Sequence, residues 1–353
     1  GLLRFAWWAR RQLKRGGYDA SLSMTLAVPA MVLQPRGGTV RETLARNIAR
    51  RKPGFSRWAK ELSLAVNPKQ LTLLLLEHRT LNSHRVRKIV AISRYVSEQL
   101  FSHYTIASKR VEVIPNAASV KAMAPEARAE MRGRVRKALG LRESDVVFLF
   151  AAMNPGLKGL SPLLNAMHEV FIRRPEARLI VAGCLPQKLM RRTHRGVLKD
   201  VVRFVGPSRQ MDALYAASDV TVLPTYYDPA SKVVIESLLH GIPAISTSFN
   251  GASQWITDPT GELADVLPGS EKQVAELMSK QAGRVIDSPD NAAALSAAMI
   301  ALCDAEERAK CSAAAAGLDQ RLSMDVHVDR LEKAMEESRK AEVGGKSEGG
   351  SGK

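Results

Sequence analysis

The sequence predicts an α/β protein built on doubly wound parallel sheets, and three observations predict it. From Val146 onward, short apolar runs alternate with longer segments of helical spacing. The stretch Val220 to Thr247 reads as a strand, a polar loop, a short helix stopped by Gly241 and Pro243, and a new strand from Ala244. Lys88 to Pro115 carries the same alternation in the first third of the chain. Strands bridged by helices in this way run parallel, and such sheets bind ligands at the carboxyl ends of their strands.

Taken in order, Leu2 to Lys14 is a helical segment with Leu2, Phe5, Ala9 and Leu13 on one face and Arg4, Arg11 and Lys14 on the rest. With Trp7 and Trp8 it is either a helix lying on a membrane or an ordinary packing helix. Gly16 and Gly17 end it, and Asp19 to Met24 reads as a short strand. Residues 34–81 read as mostly helical: Arg41 to Lys52, Ser56 to Leu64, and a third helix opened by Asn67 and Pro68 and running to about Leu81. Lys88 to Ser93 is a strand, Arg94 to His103 a helix and Val111 to Pro115 a strand. Later strands are expected at Val146 to Ala151, Arg178 to Ala182, Val201 to Val205, Val220 to Leu223 and Ala244 to Thr247. The clearest helices between them are Leu160 to Arg173 and Gln210 to Ala217. Residues 290–310 and 325–340 are further helices, and the Gly/Ser/Lys-rich tail from Gly344 is expected to be disordered.

The 353 residues are enough for about two domains. The pattern divides them into a first domain at 1–118, a second at 119–325, a C-terminal helix at 326–341 and a tail at 342–353. The apolar stretch around Leu71 to Leu76 falls far short of the roughly 18 residues that span a membrane, and no signal-peptide pattern is expected. Cys184, Cys303 and Cys311 are odd in number and form no CxxC pair, which argues for a reducing compartment and against a disulfide framework or a zinc site. The seven histidines show no metal-ligand spacing, so no metal is expected.

Charge is unevenly placed. Residues 1–120 hold 21 Lys and Arg against 6 Asp and Glu, a balance of +15, while residues 121–353 hold 31 against 29, a balance of +2. A basic first third implies an anionic partner: a membrane surface, a phosphorylated lipid or nucleic acid. The aromatic-plus-basic strand motifs of RNA-binding sheets and any helix-turn-helix signal are missing, so no nucleic-acid partner is expected.

The most informative stretch is Asp228-Pro-Ala-Ser231-Lys232-Val233-Val-Ile-Glu236, with two acids eight positions apart, one at a helix mouth and one inside the helix. A helix N-terminus offers free N–H groups to a diphosphate, and an inner carboxylate can accept from ribose hydroxyls. Asp228 has a second reading, as the N-cap of a helix with Pro229 at its first position. A second loop, Asn154-Pro155-Gly156-Leu157-Lys158-Gly159, follows the strand at Val146. Its lysine suits a diphosphate as a mobile point charge, or is a plain surface lysine. Arg36-Gly37-Gly38-Thr39 could form an anion-binding nest. Glu77, inside an apolar helical run, is either a satisfied buried acid or a cleft residue.

These residues carry a resemblance to the family 4 glycosyltransferases of the GT-B fold. The spacing Asp228…Glu236 resembles their Glu-x7-Glu signature, with Asp in the first place. Lys88-Ile-Val-Ala-Ile-Ser93, Val113-Ile-Pro-Asn116 and the Asn250-Gly251 loop look most like the lipopolysaccharide core glucosyltransferases. The resemblance implies two Rossmann-like doubly wound domains facing a cleft. The N-terminal one is expected to be incomplete, because nothing before Tyr18 supplies the family's opening strand and Gly-rich loop.

It further implies a retaining, metal-independent transfer from a nucleotide-diphosphate sugar, with no cofactor beyond that donor substrate, to an anionic envelope glycolipid. The catalytic pair would be Asp228 and Lys158. The donor would be held by Glu236, by the amides of Ser231, Lys232 and Val233, by Gly156, and by Phe204 and Val205, where the family positions the base. Apart from the resemblance, the nest at Arg36, Gly37 and Gly38 would bind acceptor or anion. Leu157 stands where the family usually has Arg, and Ala117 follows Asn116 where the family has Gly. The protein is expected in the cytoplasm, peripheral to the inner face of the cytoplasmic membrane. The competing reading is a non-catalytic nucleotide-sugar-binding or scaffold protein of the same fold.

Overall fold

The structure, a computed structural model, describes residues 1–51, 54–120, 123–194, 196–262, 277 and 279–347. It divides into two compact units: Gly1–Asn116 with Met324–Lys353, and Ala117–Ser323. The C-terminal helix, set apart by the sequence pattern, thus belongs with the first unit. It runs Met324–Ser347, so the expected tail is helical as far as Ser347, and 348–353 lie outside the described residues.

The first unit holds four short parallel strands in the order β1-β2-β3-β4: Leu22–Ser23, Val32–Leu33, Lys88–Ala91 and Val111–Val113. β1 is shorter than expected and β2 was not expected at all. The C-terminal helix packs Leu331 and Ala334 against Val32, Val90 and Ile114. Its buried His327 faces Pro115 O with Nδ1 at 2.7 Å and the Gln34 side-chain amide with Nε2 at 3.3 Å. A carbonyl only accepts, so Nδ1 carries the proton and Nε2 accepts. Burial pushes this imidazole below its usual range, in keeping with the neutral form. The helix Leu2–Arg15 packs through Ala6, Ala9 and Leu13 on Ala27, Val28 and Leu76, yet leaves Leu3, Trp7 and Trp8 more than half exposed. It is a packing helix with an open apolar flank.

The second unit is a six-stranded parallel sheet: β5 Val146–Ala152, β6 Ala177–Gly183, β7 Val202–Gly206, β8 Val220–Leu223, β9 Ala244–Thr247 and β10 Gly283–Ile286. Their spatial order is β10-β9-β8-β5-β6-β7. Helices cover both faces, so both faces are apolar. Phe148 and Phe150 point into one core with Leu163, Met167 and Val222, while Val147 and Leu149 point into the other with Ile180, Leu214 and Tyr215. The strand β10 and the helices Pro125–Ala138 and Gln187–His194 go beyond the sequence pattern. The helical stretch expected at 290–310 splits into Ala292–Ala301 and Ala305–Ala314, because the Asp304 carboxylate accepts from the N–H groups of Glu306 and Glu307 and starts a new helix.

This strand order reverses direction between β5 and β8, which are neighbours in the sheet but not in sequence. That topological switch point opens a crevice at the carboxyl ends of the two strands. The loops leaving β5 and β8 are the two that the sequence singles out. They meet tightly: a side chain at Gly159, where φ is +80°, would put a Cβ 1.9 Å from the Pro224 carbonyl oxygen.

Candidate functional site

The loop after β5 is pinned from both sides. The Asn154 side chain accepts from the Leu157 N–H at 3.2 Å, and the Leu157 carbonyl accepts from the Tyr226 N–H at 2.9 Å and the Thr225 hydroxyl at 3.2 Å. Leu157 therefore anchors the two loops through its backbone, and Lys158 is delivered next to Asp228. The Lys158 ammonium donates to Asp228 Oδ2 at 2.6 Å and to the Tyr227 carbonyl at 2.9 Å. Side-chain exposure is only 19% and 14%, so water screens this pair weakly.

Asp228 is not a helix N-cap. The helix begins at Lys232, with Ser231 in the cap position, and runs to Leu239. The Asp228 carboxylate instead closes a turn by accepting from the Ala230 N–H at 3.3 Å, and its backbone pairs with the loop at Asn250. Pro229 therefore lies in this turn, not in the first helical turn, and Glu236 sits about one turn inside the helix.

Ser231 also departs from expectation. Its N–H donates to Asn250 Oδ1 at 3.1 Å and so is spent within the protein. Asn250, buried, uses the same oxygen for the Ala252 N–H and its amide nitrogen for Ser246, tying the 228–231 loop to the loop after β9. Ser231 makes no side-chain capping bond. The amides of Lys232 and Val233 remain in the first turn, ahead of the helix's own hydrogen-bond ladder.

Glu236 is half-buried, and its Oε2 accepts from the Tyr215 hydroxyl at 3.0 Å. Burial holds its carboxyl above the ordinary value, although the Tyr215 bond and the Lys232 charge pull the other way. Gly156 lies exposed in the β5 loop. Phe204 and Val205 stand on β7, two strands from β5. Val205 packs into the core beside Ile180, and the Phe204 ring meets His194 edge-on at 5.6 Å. Lys158, Asp228 and the opening of the Lys232 helix thus come together. Tyr215 and the tie made by Asn250 were not legible: their partners lie 21 and 19 residues away in sequence.

In the first unit, the anion nest is largely used up internally. The Gly38 N–H donates to Pro35 O at 3.0 Å, and the Arg36 Nε to Gln34 Oε1 at 3.3 Å. The helix Val40–Ala49 that follows has its N-terminus filled by the chain's own Glu77: the carboxylate accepts from the Val40 N–H at 2.5 Å, the Arg41 N–H at 3.5 Å and the Tyr104 hydroxyl. Glu77 is therefore a satisfied buried acid, fully shielded from solvent, and burial raises its pKa despite these donors. Nearby, Glu42 accepts from Arg46, Tyr95 and His103. Burial opposes its charge, but these partners hold its carboxyl below the usual range. Among the described residues no group of three or more His, Cys, Asp or Glu is placed to hold a metal ion.

The sequence and fold resemble those of known proteins. The sequence model of the family described as Glycosyl transferases group 1 matches residues 144–305, which take in Lys158, Asp228 and Glu236 and leave Arg36 to Gly38 outside. The lipopolysaccharide glucosyltransferase WaaG of Escherichia coli is 21% identical over 206 residues, 58% of this chain and 55% of that protein. The crystal structure of WaaG superposes with a TM-score of 0.66 at 18% identity, over 87% of this chain and 75% of the other.

The chain is related to the GT-B glycosyltransferases.

Its fold is the GT-B fold, as the resemblance implied. A D-inositol 3-phosphate glycosyltransferase of Segniliparus rotundus is 27% identical over 187 residues, 50% of this chain and 41% of that protein. Anabaena HepE, solved in complex with UDP, superposes with a TM-score of 0.64 at 16% identity, over 95% of this chain and 82% of the other. The chain spans about half the length of the curated relatives it matches.

Proposed function

We propose that the chain transfers a hexosyl group from a nucleoside diphosphate sugar to a hydroxyl of an anionic envelope glycolipid of the lipopolysaccharide-core kind. The transfer retains configuration and uses no protein-bound metal and no cofactor beyond the donor. The observation that carries this reading is the Lys158–Asp228 contact at the switch point, in front of the helix Lys232–Leu239. A diphosphate seated there meets one ammonium and the first-turn amides of Lys232 and Val233. These donors are worth most as charge builds on the departing diphosphate, which is transition-state rather than ground-state binding. Asp228 keeps Lys158 in place before the donor arrives and lies beside the sugar once it has. Glu236 accepts from the ribose hydroxyls. The UDP bound by HepE and the lipopolysaccharide pathway of WaaG support the donor and acceptor classes.

A non-catalytic binder of nucleotide sugars is the second reading, favoured by Leu157 in the place of a cation and by the shorter acid at Asp228. Labelled donor separates the two. The proposed function gives labelled glycolipid on membranes from a lipopolysaccharide-bearing bacterium, and donor that binds but never transfers would support the binder.

The protein works, in this proposal, in the cytoplasm at the inner face of the membrane. No helix among the described residues is long and apolar enough to cross a membrane. The first unit does offer amphipathic faces: Phe55, Trp58, Leu62 and Val66 are each at least half exposed at helical spacing, beside Arg51, Arg57 and Lys60. Vesicles containing anionic lipid are expected to bind the protein, and moderate salt to release it, because a field screened within about 8 Å fades as salt rises. Equal binding to neutral and anionic vesicles in a flotation assay would remove the electrostatic account.

A further inference from the structure

Glu236 would be a poor ribose ligand if its carboxylate were free to turn, and one buried side chain stops it turning. Tyr215, from the helix Met211–Ala217, has no solvent exposure. Its ring stacks on His240, with centroids 5.0 Å apart and planes 29° apart, and His240 Nε2 lies 3.2 Å from Asp212 Oδ1. The ring also belongs to the buried core of Leu149, Ile180 and Leu214. Its hydroxyl therefore has a fixed position. Two acceptors lie in reach of its single proton, the Val233 carbonyl at 3.1 Å and Glu236 Oε2 at 3.0 Å. The charged oxygen is the stronger acceptor. Glu236 Oε1 has no hydrogen-bond partner among the described residues.

We propose that Tyr215 is a positioning residue of the donor site: its hydroxyl holds Glu236 Oε2 and so presents Oε1 to the vicinal hydroxyls of a nucleoside diphosphate. The nucleoside part of this inference rests on the transferase reading above. Tyr215 touches no substrate and acts through Glu236. Burial keeps its hydroxyl protonated well above the usual tyrosine range, so it remains a donor at any working pH. The groups that face Glu236 are Tyr215 and Asp212 from one helix and Lys232 from its own. Burial and Asp212 disfavour its charge, while Tyr215 and Lys232 favour it. Losing the Tyr215 hydroxyl removes a donor to the charged form, so ionisation moves to higher pH.

The test is Tyr215→Phe in the full chain, which keeps the ring and its stacking. The Glu236 carboxyl is followed by carbon-13 NMR in the unliganded protein, its signal assigned by loss in Glu236→Gln, and affinity for UDP, GDP and ADP is measured by calorimetry across pH. The inference expects the Glu236 midpoint to rise. Nucleotide affinity should fall about tenfold, with KM for donor increased and kcat little changed. A lowered melting temperature with an unmoved midpoint would make Tyr215 merely structural and overturn the inference. A moved midpoint with unchanged affinity would overturn its link to the donor. Wild-type protein that binds none of the three nucleotides would overturn the donor reading itself, and the midpoint, read without ligand, would still decide whether Tyr215 governs Glu236.

Discussion

Arg136→Met is expected to destabilise the second unit by about 3–5 kcal/mol, the cost of leaving one member of a buried ion pair behind. Arg136 is 1% exposed. Its Nη2 donates to Asp219 Oδ2 at 2.7 Å, its Nε to the Ala217 carbonyl at 3.0 Å, and its Nη1 lies between the carbonyls of Arg142, Glu143 and Asp145. Four carbonyls lose a donor at once. The same Asp219 oxygen accepts from the Val147 N–H at 2.7 Å, so the network fastens the start of β5 beside β8. Methionine fills most of the volume and removes every donor of Arg136, and Asp219 would keep only Arg132 of its two arginines, beside the Val147 N–H. Urea unfolding followed by circular dichroism measures the loss. A midpoint equal to wild type would mean that water replaces the guanidinium without cost.

Lys158→Ala is expected to lower turnover of labelled donor about 10²- to 10³-fold, the scale seen when one donor to a developing anion is removed. Stability should fall by only about 1–2 kcal/mol, because Asp228 keeps the Ala230 N–H as a donor and the lysine supports no core. The loop would keep its shape, since Asn154, Leu157 and Thr225 hold it through backbone bonds that do not involve the lysine side chain. Turnover close to wild type together with a lowered melting temperature would take Lys158 out of the chemistry and leave it as a strut for Asp228.

The two loops that meet at the switch point were legible because each leaves a short apolar strand and carries glycine or proline beside one charged residue. Strands β5 and β8 were legible for the same reason: Val146 to Ala151 is an unbroken apolar run, and Val220 to Leu223 is apolar but for the β-branched Thr221. The helix Pro125–Ala138 was not, because it is mostly charge and alanine and engages the core chiefly through Val135 and the buried Arg136. The strand β10 is four residues with an arginine inside it. The late start of the Lys232 helix was hidden by Pro229, which fits a first helical turn and a bend equally well in sequence. The partnerships Glu236–Tyr215 and Val40–Glu77 join residues far apart in the chain, and local spacing carries no trace of them. The union of the C-terminal helix with the first unit is long-range in the same way: Leu331 and Ala334 pack on residues roughly 220–300 positions earlier.

The claim beneath all of this is that the second unit seats a nucleoside diphosphate between Lys158, the Lys232 helix and Glu236. Calorimetric titration of UDP, GDP and ADP into wild-type protein and Glu236→Gln tests it most directly. The account predicts that wild type binds at least one of them, and that the amide, which keeps the shape and loses the charged acceptor, binds it more weakly by about 1–3 kcal/mol, about five- to 150-fold. Equal affinity in the two proteins, or no affinity of the wild type for any of the three nucleotides, would contradict it.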